Sequence, residues 1–149
     1  FGGYIERQNR RDADKLLRDT VARRFEEQHK RASQLQTELV SAGKIEFVDD
    51  MEKATIKLQT FMDKISRAPR GYSGLFDAVK INEKELEAIY QFDAAFFDLA
   101  EQIGRALDNV EQSLGDDAAL PAAIRNLATL ARQAVEVYEK RDEVVTGSN

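Results

Sequence analysis

Glu26 and His29 stand three residues apart in a stretch without helix breakers. That Glu-x-x-His spacing puts a carboxylate and an imidazole on one helix face, where both can ligate a metal. A dinuclear carboxylate centre in a helical bundle needs two such pairs and two further glutamates. His29 is the only histidine, so one chain falls short of that set, and Glu27, Lys30 and Arg31 mark this part of the helix as solvated. Cys is absent, which removes thiolate ligands, cysteine nucleophiles and disulfides. No G-x-G-x-x-G, P-loop, G-x-S-x-G or H-E-x-x-H pattern occurs. The reading is therefore of a chain that is not an enzyme, with no catalytic residue, no metal site and no cofactor.

Asp93 is the most unusual ionisable residue. It sits between Ile89 and Phe96 in a line of apolar residues, where a carboxylate costs several kcal/mol unless charged partners or hydrogen bonds offset its desolvation. The expectation is a polar core position paired with an Arg, Lys or Tyr of a facing helix, setting the register of the helices. The rival is a small-molecule or metal-binding bundle with its site around Asp93. Tyr72 and Phe76, in the Pro/Gly-containing stretch 68–81, and Phe92, off the apolar line of its helix, are the candidate apolar anchors for a protein partner.

The formal charge of -5 is unevenly spread. Residues 1–31 carry a balance of +3 and the remainder -8. An acidic body with a mildly basic end argues against nucleic-acid binding, which wants a dense basic face. Arg7, Arg10, Arg11 and Lys15 are candidate contacts for an anionic lipid surface or a partner. They are interleaved with Glu6, Asp12 and Asp14, as in a solvated helix supported by i,i+4 ion pairs. No run of 18 apolar residues exists, so no segment is expected to span a membrane. A cytoplasmic protein, with peripheral membrane association as a further possibility, is the expectation.

The elements that must position these residues are helices. From about 82 to 114, Leu86, Ile89, Phe96, Ala100, Ile103, Leu107, Val110 and Leu114 step by three and four, with Tyr90, Phe97 and Gly104 widening the seam. From 45 to 67, Phe47, Met51, Ala54, Leu58, Phe61 and Ile65 do the same, and from about 118 to 143 so do Leu120, Ile124, Leu127, Ala131, Ala134 and Tyr138. A first helix over about 4–42 ends at Gly43. At about 57 Å for about 38 residues it is overlong, and its polar turns from Ile5 to Lys15 are expected to project or fray. Asn82 with Glu85 reads as a capping box, Asp116 or Asp117 as a cap for the last helix. Leu75, Phe76 and Val79 are expected to form a short helical turn over one end of the bundle.

These segments predict one all-α domain over 1–149, a four-helix bundle with an overlong first helix. The simplest arrangement is up-down-up-down, with the 68–81 connection permitting a crossover. The alternative is a set of extended helical hairpins that complete a core by dimerisation. Phe1-Gly2-Gly3 without an initiator Met suggests a fragment of a longer chain. The functional expectation is a non-enzymatic interaction or scaffold domain, acting through a protein partner or through self-association.

Overall fold

The computed structural model describes residues 2–67 and 83–146. They form four helices, α1 (Gly2–Ser41), α2 (Ile45–Arg67), α3 (Glu83–Gln112) and α4 (Leu120–Thr146), packed as an all-α bundle. The helix limits differ from the sequence expectation by a few residues at most, with α4 continuing three residues past 143. The expected turn around Leu75, Phe76 and Val79 and the cap at Asn82 lie outside the described residues.

Local chemistry explains the turns. Gly43 adopts a positive φ of 74°, a left-handed conformation that costs glycine nothing sterically. The Lys44 amide donates to the Leu39 carbonyl (2.9 Å) and the Gly43 amide to that of Val40 (3.0 Å), the paired bonds that close a helix C-terminus of the Schellman type. At the other hairpin, Asp116 Oδ1 accepts from the amides of Ala118 (3.1 Å) and Ala119 (3.2 Å), so Asp116 is the cap. Asp117 instead meets Lys44 Nζ at 2.6 Å, and Lys44 also donates to the Leu114 carbonyl at 2.5 Å. One lysine thus ties the two interhelical turns together at the same end of the bundle.

The order of helices around the core is α1, α2, α4, α3, each packed on its two neighbours. Arg24 reaches Glu101 and Arg31 reaches Asp108 and Glu111. Residue numbers rise together across that pair, so α1 and α3 run parallel. Pairing of Asp93 with Arg141 makes α3 and α4 antiparallel. Chain directions alternate up and down as expected, but α3 lies beside α1 rather than α2, and residues 68–82 join helices that face each other diagonally. The core closes within one chain, so extended hairpins needing a second copy are not the arrangement found.

Most of the seam positions predicted from spacing are buried; Phe47 and Leu114 are half-buried against the core, and the side chains of Leu86 and Ile89 lie outside the described residues. Met51, Ala54, Leu58 and Phe61 of α2, Phe96, Ala100, Ile103, Leu107 and Val110 of α3, and Leu120, Ile124, Leu127, Ala131 and Ala134 of α4 are all buried. Each helix contributes one aromatic ring to a central layer. Phe61 lies 4.2 Å from Phe25, 5.2 Å from Phe96 and 6.5 Å from Tyr138, centroid to centroid, separations that favour tilted and edge-on ring contacts. α1 is 17 residues longer than α2, about 25 Å of additional helix.

Candidate functional site

Two places in the bundle hold concentrated charge. One is inside. Asp93 of α3 is fully buried, Arg141 of α4 is 2% exposed, and Arg141 Nε donates to Asp93 Oδ1 at 2.7 Å. The register follows from the seams. Stepping α4 onward by three from Tyr138 lands on Arg141, just as stepping α3 back by three from Phe96 lands on Asp93. Opposite charges at core positions of antiparallel helices then meet. Asp93 Oδ2 is buried with no hydrogen-bond partner among the described residues, a desolvation cost of about 1–3 kcal/mol.

Arg18 of α1 is also buried, at 6% exposure. It belongs to the α1 seam through Val21, Phe25, Ala32, Leu35 and Leu39, three residues before Val21. Its place on that seam buries it, where its charge alone would put it in solvent. Arg18 acts on the Tyr138 hydroxyl as an opposing charge. Burial pushes that hydroxyl above the usual tyrosine range, Asp142 adds to the rise, and Arg18 pulls the other way. Tyr138 and Asp142, with Thr60, Asp63 and Lys64, line an open recess of about 420 Å³ between α2 and α4.

The second charged place is further along the same helix pair, where α2 and α4 run parallel. A groove of about 360 Å³ is lined by Asp50, Lys53 and Lys57 of α2 and by Ile124, Arg125, Ala128, Thr129 and Arg132 of α4. Its floor is apolar, formed by buried Ile124 and half-buried Ala128. Its rim holds four cations against one acid. Lys53 lies 3.8 Å from Asp50, and Arg132 lies 3.7 Å from Glu136, all four side chains more than half exposed. Such pairs contribute little. Lys57 and Arg125 have no ion-pair partner among the described residues.

Other expected positions are dispersed. Glu26 is exposed and His29 half-buried, and among the described residues no group of three or more His, Cys, Asp or Glu could hold a metal ion. Phe92 is half-buried, whereas Tyr90, expected in the core, is 42% exposed and is corrected accordingly. Phe97, seven residues on, stays half-buried under the Arg24 guanidinium, 4.2 Å from its ring centroid. Lys15 is exposed; the side chains of Arg7, Arg10 and Arg11, and all of Tyr72 and Phe76, lie outside the described residues. Among the described residues no helix is long and apolar enough to cross a membrane.

Chemically, the interior ion pair is shielded from solvent and offers no open face to a substrate, while the groove offers cations above an apolar floor. Spacing within single helices signalled the first and contained nothing of the second, because the groove exists only once α2 and α4 are neighbours. No protein-family model, curated protein or solved structure matches this chain.

Proposed function

We propose that this chain is a non-enzymatic helical interaction or scaffold domain that works through the outer faces of its bundle. The observation that supports the reading is the open α2–α4 groove, apolar at its floor and cationic at its rim, on a bundle whose innermost acid is already hydrogen-bonded to an arginine. Binding energy in such an arrangement comes from apolar side chains removed from water and from charges that orient the partner. Light scattering over a concentration series, together with affinity capture on the wild type and on K57E/R125E, tests the proposal. Self-association, or a partner retained by the wild type and lost by the variant, is the expected result. A protein that stays monomeric throughout and retains the same proteins as the variant would overturn it.

A further inference from the structure

We infer that the α2–α4 groove receives an acidic peptide segment carrying a large apolar side chain; this deepens the interaction reading above and rests on it. The inference follows from the groove's two components. Lys53, Lys57, Arg125 and Arg132, set against Asp50 and against Glu136 beside Arg132, leave a local charge of +2 on a chain of net charge -5. Like charges held on one groove repel one another, and Lys57 and Arg125 have no carboxylate among the described residues to relieve this. An anionic partner supplies that relief. Its approach is steered by the rim, which raises the association rate more than the intrinsic affinity.

The floor narrows the class of anion. Ile124 and Ala128 present an apolar surface, and Ala128 and Thr129 are small enough to leave the groove open between the two helices. A volume of about 360 Å³ falls at the small end of ligand pockets and accommodates one or two large apolar side chains. A bare phosphate leaves that floor wet. Nucleic acid is disfavoured because no aromatic side chain lines the groove for base stacking and four cations confined to one short groove fall short of the dense, extended basic face that a phosphate backbone requires. A lipid surface is disfavoured because the cations flank a recess instead of standing on a convex face. An Asp/Glu-rich segment with a Leu or Phe places the apolar group over Ile124 and Ala128 and its carboxylates beside Lys57 and Arg125.

Fluorescence anisotropy on the full chain tests this, using a short fluorescein-labelled peptide of repeating Glu-Leu-Glu. A Gln-Leu-Gln peptide, single-stranded oligothymidylate and phosphatidylserine vesicles serve as competing probes. The expected result is saturable binding of the Glu-Leu-Glu peptide that weakens with salt. It should fall by about tenfold or more in K57E/R125E, about 1.4 kcal/mol or more, with an unchanged circular-dichroism melt, since both positions are exposed. The same variant should gain affinity for a Lys-Leu-Lys peptide. Equal binding by wild type and variant, or by the Glu and Gln peptides, overturns the assignment. So does binding of only the oligonucleotide or only the vesicles. If the peptide fails while light scattering shows self-association, the groove assignment falls and the broader interaction reading stands.

Discussion

Replacing Asp93 by Ala isolates the role of the interior ion pair. The carboxylate is fully buried and Arg141 is 2% exposed, with 2.7 Å between Oδ1 and Nε. Removing the acid leaves the guanidinium inside the bundle without the carboxylate it bonds, a loss of about 3–5 kcal/mol. With a urea m-value of about 1–3 kcal/mol/M for a small domain, the midpoint should fall by roughly 2 M. Arg141→Met should cost a similar amount by stranding the carboxylate. The double replacement Asp93→Leu/Arg141→Met removes both charges and fills the site with apolar atoms. It should lie within about 2 kcal/mol of the wild type, on either side. The buried Oδ2 without a partner among the described residues tilts the comparison toward the double variant. Urea titration followed by circular dichroism at 222 nm, the standard helix wavelength, reads all four proteins. A single Asp93→Ala cost below about 1 kcal/mol, or additive single and double costs, would refute the argument that these two charges depend on each other.

Three other substitutions probe different terms. Phe61→Ala removes the ring that touches Phe25, Phe96 and Tyr138 and should cost about 3–5 kcal/mol; a cost below about 1.5 kcal/mol in chemical denaturation would mean that the aromatic layer collapses to fill the gap. Gly104→Ala places its new methyl 3.7 Å from Gln28 Nε2, an ordinary contact, so relief of glycine's helical penalty should stabilise by about 0.5–1 kcal/mol. Destabilisation on thermal melting would show that α1 and α3 approach more closely than this. The raised titration of the Tyr138 hydroxyl means the fold prefers its neutral form. That contribution is complete below about pH 10 and is lost as pH rises through the raised folded value. Wild type should therefore lose stability relative to Tyr138→Phe between about pH 9 and pH 12, and parallel urea midpoints across that range would count against it.

The helices were legible because a seam stepping by three and four needs only local spacing. Leu58 and Phe61 in α2, Ile103 and Leu107 in α3 and Leu127 and Ala131 in α4 all occupy the positions their spacing requires. Arg141 and Arg18 continue the α4 and α1 seams by the same spacing, but spacing does not single them out as core positions, because charge alone suggests solvent for both. Tyr90 shows the converse. It lies seven residues before Phe97 beside the seam, yet it is exposed, because the width of a buried stripe depends on which neighbours flank that turn. Helix order was not legible. The segment between α2 and α3 is long enough to place α3 beside either α1 or α2, and apolar seams of equal regularity do not choose between them.

That choice of neighbour creates the surface on which the functional reading depends. Had α3 packed against α2, the cations of α2 and α4 would stand on opposite sides of the bundle, each on a separate solvated helix face. Packing α4 beside α2 instead brings Lys53 and Lys57 opposite Arg125 and Arg132. The like charges so assembled oppose the very contact that holds them, yet the cost is small at exposed positions and apolar burial beneath them is large. Leu58, Ala54, Ile124, Leu127 and Ala131 are all buried, and burying each Leu or Ile side chain contributes about 1.5–3 kcal/mol. The core therefore outweighs the repulsion and holds four cations together around an apolar floor, a concentration of charge that neither helix has alone.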